Sequence, residues 1–238
     1  MSFARKLIKL GQLLGQPRFR SALIGHRIAA TVEHLDAIRF CAPASLIDIG
    51  ANKGQFATAV RGLFPEAVIH AFEPLPTAGA RFAANFAGDK RVTLHRVAVG
   101  ATERTATFYV TDREDSSSLL RPGSGQKAAF GVSSASQIDV PVRPLDKEVD
   151  LAALPRPILL KIDVQGAELE VLKGIASLDA LDFLYVELSF VELYEGQALF
   201  EDVRSFLADK GFTIRGVFNQ AFTPQFGPTQ ADCLFVRA

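Results

Sequence analysis

Leu46-Ile47-Asp48-Ile49-Gly50-Ala51-Asn52-Lys53-Gly54-Gln55 constrains the fold of this chain more than any other stretch. The apolar run over Leu46, Ile47 and Ile49 suits a buried parallel strand. It stops at Gly50, a second glycine follows at Gly54, and a helix-forming segment runs from Gln55 to about Leu63. Strand, glycine-bracketed turn and helix in that order make a nucleotide-type binding turn. Glycines there admit positive φ and let a ligand approach the backbone. The start of the helix offers free N–H groups to an acidic ligand group. A glycine-rich turn in any α/β domain has the same appearance.

The turn departs from the dinucleotide pattern. It lacks G-x-G-x-x-G, and the Walker pattern with Lys-Ser/Thr is absent too. Asp48 at the strand end would repel a pyrophosphate. It suits a ligand that carries an amino group and a sulfonium, and S-adenosylmethionine (SAM) is such a ligand.

The 238 residues permit one large α/β domain with its own core. With 26 basic and 26 acidic residues, the charge balance gives no reason to expect nucleic-acid binding. No stretch is long and uncharged enough to span a membrane. Cys41 and Cys233 form neither a metal-ligand spacing nor a disulfide framework, and they read as reduced cytoplasmic thiols. No secretory signal is visible. His26, His34, His70 and His95 make no His-x-x-x-His or Cys-His cluster.

Residues 1–42 read as a semi-independent helical extension ahead of a domain over 43–238. Phe3, Leu7, Leu10 and Leu14 recur at three and four spacing and form one apolar stripe. Arg5, Lys6 and Lys9 fall mostly off it, Arg18, Arg20 and Arg27 follow, and no acidic residue occurs from Met1 to Ala30. One reading is weak contact with an anionic membrane surface, at the inner face of the membrane. The other, which is preferred, is a helix packed on the domain with a solvated basic face. A second helix is expected from about Ser21 to Phe40, before Pro43.

The core then alternates. Strands are expected at Leu46–Ile49, Val68–Phe72, Val92–Val99, Ile158–Ile162 and Phe183–Leu188. Helices are expected at Gln55–Leu63, Thr77–Phe86, Ala167–Lys173 and Leu199–Lys210. This order implies a mostly parallel sheet with helices on both faces. Thr105–Val110 and Ile138–Val142 are expected to pair as a β-hairpin insertion around a long polar loop, Asp112–Ser136, near the active face. Thr213–Val217 and Cys233–Val236 read as two final strands.

Asp48, Glu73, Asp163 and Glu187 lie at or near strand ends, so all four should point to one rim of the sheet. Each alone could be a helix cap or a solvated acid, but four at one rim suit a cationic cofactor. Glu73, a little over twenty residues beyond the glycine turn, is placed to accept both ribose hydroxyls of an adenosine. Lys161 shares a strand face with Asp163. A lysine in an apolar strand needs a charge partner, and Asp163 or Glu187 can serve. Ser116, in the Ser116-Ser117-Ser118 run beside Asp115, can bond an adenine or a substrate hydroxyl, or simply belong to a flexible loop.

LIDIGANKGQ (46–55) resembles the first motif of the FkbM-type SAM-dependent methyltransferases. The resemblance continues through Ala71-Phe72-Glu73-Pro74, Val97-Ala98-Val99-Gly100, Asp115–Leu119, Val142–Asp146, LKIDVQGAELEVLKG (160–174) and Val186-Glu187. It implies a Rossmann-like methyltransferase fold with a mostly parallel seven-stranded sheet. It further implies methyl transfer from SAM to a hydroxyl oxygen of a sugar, a glycan or a polyketide-type natural product. It puts Asp48, Gly50, Asn52 and Gly54 around the methionine part of SAM, Glu73 on the ribose, Ala98 and Ser116 near the adenine, and Asp163 near the transferred methyl. Gln165 departs from the family, which often has Glu there, so this chain has no carboxylate at that position.

An alcohol needs a base as it attacks. Asp163 is the first candidate and Glu187 the second, with Lys161 tuning either by charge. Some oxygen methyltransferases use an acidic cluster to bind a divalent metal, but no ligand spacing here requires one. An NAD-type oxidoreductase would need the missing glycine pattern. A degenerate SAM-binding scaffold is the remaining alternative, and the intact Asp48, Glu73 and Asp163 argue against it. Acceptor contacts are expected from Asp112–Ser136, Leu188–Gln197 and Asn219–Gln230, whose Phe190, Tyr194, Phe222 and Phe226 are either stacking platforms or packing.

Overall fold

The computed structural model describes residues 3–238, with side chains from Leu7 onward, so the Phe3, Arg5 and Lys6 side chains lie outside the description. Helices α1 (Phe3–Gly15) and α2 (Pro17–His26) are followed by a 3₁₀ turn at Val32–His34 and by α3 (Leu35–Cys41). The single helix expected over Ser21–Phe40 is therefore broken. Arg27 takes left-handed backbone (φ 55°), and the Arg27 and Ile28 N–H groups fold back onto the Leu23 and Ala22 carbonyls. This is a helix stop of the Schellman kind.

The core follows as β1 (Ser45–Ile49), α4 (Gln55–Leu63), β2 (Val68–Phe72), α5 (Pro76–Asn85) and β3 (Val92–His95). β1 is buried at all five positions. It lies between two parallel neighbours, β2 and β7 (Ile158–Ile162), which explains its near-continuous apolar run. A strand buried on both faces needs a cover on each, and residues 1–42 help supply one. Leu13, Phe19, Val32 and Ile38 join Phe56, Ala57 and Val60 of α4 in one apolar cluster. The extension thus shares the domain core instead of standing apart.

The strand expected over Val92–Val99 is split. β3 edges the main sheet, while β4 (Ala98–Val99) crosses to a second sheet with β5 (Arg104–Thr111) and β6 (Ser134–Arg143), in the order β4-β6-β5. The expected pairing of β5 with β6 is present, with Phe108 opposite Ile138. The insertion is nonetheless three-stranded, because Ala98 buries its side chain with Phe108, Val140 and Val142. The polar stretch between β5 and β6 also holds more structure than a loop. It contains a 3₁₀ turn, Glu114–Ser116, and α6 (Ser124–Phe130). α6 is anchored by buried Gln126, whose amide donates to the Tyr194 hydroxyl at 3.0 Å.

A short α7 (Leu145–Glu148) precedes β7, and α8 (Glu168–Lys173), β8 (Phe183–Ser189), α9 (Phe200–Asp209), β9 (Phe212–Thr223) and β10 (Gly227–Arg237) complete the chain. The main sheet has seven strands in the order β3-β2-β1-β7-β8-β10-β9. β10 runs antiparallel to both of its neighbours, and the other pairings are parallel. Asn219–Gln230, expected as a loop, is mostly hairpin: only residues 224–226 form the turn. The arms pair across register shifts, and these irregularities hid the strands from a simple alternation pattern.

Candidate active site

The chain reverses direction across the sheet between β1 and β7, and a cleft of about 1180 Å³, counting its open mouth, lies at the carboxyl ends of these strands. Ligands of open α/β sheets bind at such switch points. The glycine turn forms one wall. Gly50 has φ 76°, and a Cβ there would lie 1.8 Å from the Asp163 carbonyl oxygen, so only glycine lets β1 and β7 close. Gly54 (φ 87°) packs under the Phe82 and Phe86 rings. It shapes the turn without lining the cleft, which Gly50, Ala51 and Asn52 do line.

Asp48 is fully buried below the turn. Its Oδ1 lies 3.2 Å from Lys161 Nζ, and neither Asp48 oxygen makes a hydrogen bond, so charge attraction holds the pair. Lys161 Nζ also donates to the Gly50 carbonyl at 2.9 Å and sits 3.7 Å from Asp163 Oδ2. Burial alone would depress the Lys161 ammonium, but the Asp48 and Asp163 charges outweigh it and raise its pKa. Lys161 is thus a charged tie between β7 and the glycine turn, and its first partner is Asp48, a pairing the sequence reading did not weigh.

Glu73, at the end of β2, lines the cleft. Its two oxygens accept the Asn52 and Leu75 N–H groups, each at 2.8 Å. Burial pushes its carboxyl up to about 7 against the pull of those two bonds. Ala98 and Pro74 line the cleft beside it, as do Asp115 and Ser117 from the insertion. Ser116 does not. Its carbonyl accepts the Tyr194 hydroxyl at 2.7 Å, because the 3₁₀ turn directs Ser116 into the protein and its neighbours toward the cleft.

Across the cleft, Asp163 follows β7. Gln165 donates from Nε2 to Asp163 Oδ1 and to Glu187 Oε2, both at 2.7 Å. Asp163 lines the cleft; Glu187 lies behind Gln165, is partly buried, and takes a second bond from Gln230 at 3.2 Å. Burial, reinforced by Asp163 and Asp232, raises the Glu187 carboxyl well above the ordinary range. Glu168 caps the turn by accepting the Gly166 and Val164 N–H groups, and burial lifts it to about 7. Tyr194 is fully buried with its hydroxyl engaged, so it is packing and not a stacking platform.

The structure also brings in residues that spacing did not single out. Thr31 and His34, from the extension, line the cleft with Tyr185 and Asp232. His34 Nδ1 lies 3.0 Å from the Tyr185 hydroxyl and 2.9 Å from Asn219 Nδ2, and Asn219 also donates to Asp232 Oδ2 at 2.9 Å. Burial lowers the His34 pKa to about 4, so its ring is neutral at physiological pH, while burial raises Asp232 to about 6. No pattern of spacing links residues 34, 185, 219 and 232. Only the folded sheet does.

This donor and acceptor set fits SAM. Glu73 suits a pair of ribose hydroxyls, the buried Asn52 Oδ1 has no partner of its own, and the carboxylates of Asp163 and Asp115 suit a sulfonium and an ammonium. No group of three His, Cys, Asp or Glu side chains among the described residues could hold a metal ion.

Strand order and cleft together define a Rossmann-like fold of the SAM-binding methyltransferase class. In keeping with that, the solved structure of cofactor-bound Rv0187 from MTB aligns with a TM-score of 0.53 over 98% of this chain and 95% of that one, at 12% identity. A profile of the methyltransferase FkbM domain matches residues 48–214, and the chain belongs to that family. It is 31% identical over 206 residues to the 2-O-methyltransferase NoeI of Sinorhizobium fredii (strain NBRC 101917 / NGR234), covering 83% of this chain and 81% of NoeI. It is 26% identical to Methyltransferase 1 of Beauveria bassiana (strain ARSEF 2860), over 75% of this chain and 76% of the relative.

Proposed function

We propose that this methyltransferase moves the methyl group of SAM to a hydroxyl oxygen of a sugar, glycan or polyketide-type small molecule. The observation that carries the reading is Asp163, a carboxylate facing the cleft across from the glycine turn and Glu73. The name of NoeI, a 2-O-methyltransferase, supports oxygen as the acceptor atom.

When bound, SAM supplies an electrophilic methyl on a positively charged sulfur. The chain supplies the remainder. Glu73 and the Gly50–Asn52 turn hold the nucleoside and orient it. With the cofactor bound, Asp163 would accept the proton of the acceptor hydroxyl. The Gln165 amide fixes the Asp163 carboxylate by its 2.7 Å bond. Lys161 Nζ, 3.7 Å away, sets a positive charge beside the Asp163 carboxylate.

Asp163→Asn is expected to keep SAM affinity within a few-fold and to lose most turnover, roughly 10²-fold or more. Glu73→Ala is expected to weaken SAM binding instead, as read by calorimetry. Unchanged turnover in the first variant removes Asp163 as the base. A melting temperature that SAM and S-adenosylhomocysteine leave unmoved, at concentrations that saturate a typical site, counts against the whole reading.

A further inference from the structure

The apolar stripe of α1 is not the face that packs. Lys9, Leu13 and Gln16 turn inward: Lys9 Nζ pairs with Glu33 at 2.8 Å, Leu13 is 5% exposed, and the Gln16 amide donates to the Gly62 carbonyl. At 100° per residue, Leu7, Leu10 and Leu14 fall on a different side of the helix. There Leu7, Leu10 and Leu14 are 53, 45 and 41% exposed; Ile8, on another side of α1, is 63% exposed, and Ile24 of α2 is 71% exposed. α1 does pack on the domain, but through Leu13, and the apolar stripe itself faces water.

Single exposed leucines need no explanation, but five large apolar side chains on two consecutive helices do. The charge around them is one-sided. Arg5, Lys6, Lys9, Arg18, Arg20 and Arg27 precede the first acidic residue, Glu33, and the remaining chain carries an excess of six acids. Arg20 and Arg27 are exposed.

We propose that α1 and α2 form a docking surface for an anionic lipid bilayer. The leucines enter the boundary between headgroups and acyl chains, and the exposed Arg20 and Arg27 meet the lipid charge. A second copy of the chain fits this face less well. A two-fold contact would set the same basic surface against itself, with like charges opposed. None of the helices among the described residues is long and apolar enough to cross a membrane, so the contact lies in the plane of the surface.

The test is flotation of the whole chain with vesicles of phosphatidylcholine alone, or of phosphatidylcholine mixed with phosphatidylglycerol. Binding is expected only to the mixed vesicles, and it should weaken at high salt. Leu10→Glu/Leu14→Glu is expected to cut that binding roughly tenfold or more, as is Arg20→Gln/Arg27→Gln. Both pairs are exposed, so an unchanged melting temperature will show that the fold is intact. Equal recovery with the two vesicle types, or insensitivity to both variants, overturns the proposal. Elution as a dimer that Leu10→Glu/Leu14→Glu converts to a monomer also overturns it, by giving the face to a second copy.

Discussion

Gln165 decides how two carboxylates coexist at the cleft. Its backbone is left-handed (φ 60°), at a cost of roughly 1–2 kcal/mol for a residue with a Cβ. The return is a side chain that donates one hydrogen each to Asp163 and Glu187, with its Oε1 3.0 Å from the Tyr194 hydroxyl oxygen. A glutamate there would have no hydrogen to give either neighbour unless protonated. Gln165→Leu removes both donors and is expected to cost roughly 2–4 kcal/mol, because two acceptors lose their partner. Gln165→Glu should do similar damage at about pH 8 and recover toward about pH 5, since a protonated carboxyl regains one donor. The sign follows from a carboxyl raised in the folded state, whose stabilisation is lost as pH rises. Urea midpoints of both variants at the two pH values measure this. A Gln165→Glu midpoint that tracks the native protein at both values would show the bridge to be dispensable.

At the scale of elements, the parts written in local pattern were legible and the parts written in return paths were not. β1, the glycine turn and α4 follow from one unbroken run, Ser45–Leu63, and Glu73 and Asp163 follow from standing just past the ends of their strands. Ser116 and Ser117 look alike in sequence and both are buried, and only the fold around the 3₁₀ turn makes Ser117 and not Ser116 line the cleft. His34 entered the site because the extension folds back over α4, and Val92–Val99 split because Ala98 has a better apolar partner in the second sheet. The β1–β7 junction itself rests on the Asp48–Lys161 pair, whose members are 0% and 7% exposed. Lys161→Met leaves a buried, unpaired Asp48 and is expected to destabilise the fold by roughly 3–5 kcal/mol. Adding Asp48→Asn should return part of that loss, since the isolated charge is then gone. If the double variant is no more stable than Lys161→Met alone, the ties from Lys161 to the Gly50 carbonyl and Asp163 matter more than the ion pair.

For the molecule as a whole, the acidic rim couples stability to pH and to the cofactor. Burial raises Glu73 and Glu168 to about 7 and Asp232 to about 6, and it moves Glu187 upward as well. These pKa values exceed those of the unfolded chain, so the native state binds more protons between about pH 4.5 and 7. The stability of the ligand-free protein should therefore fall as pH rises through that window, by roughly 3 kcal/mol for a group such as Glu73. Glu114, lowered by its bond with Lys53, works in the opposite sense but is partly exposed and screened, while His34, lowered to about 4 by burial, and His70, lowered as well, offset part of the carboxyl effect without reversing it. A cationic ligand reverses the balance, because it favours the ionised carboxylates and drives proton release. Melting temperatures of the free protein should decline from about pH 5.5 to about pH 8, and the rise caused by saturating SAM should be larger at the upper end. A free-protein curve that climbs over this range would mean that the rim is solvated and its carboxyls unshifted. An equal SAM effect at both ends would mean that the sulfonium and ammonium do not sit among these carboxylates, and the assignment of Glu73 and Asp163 to opposite walls of one cofactor cleft would fall with it.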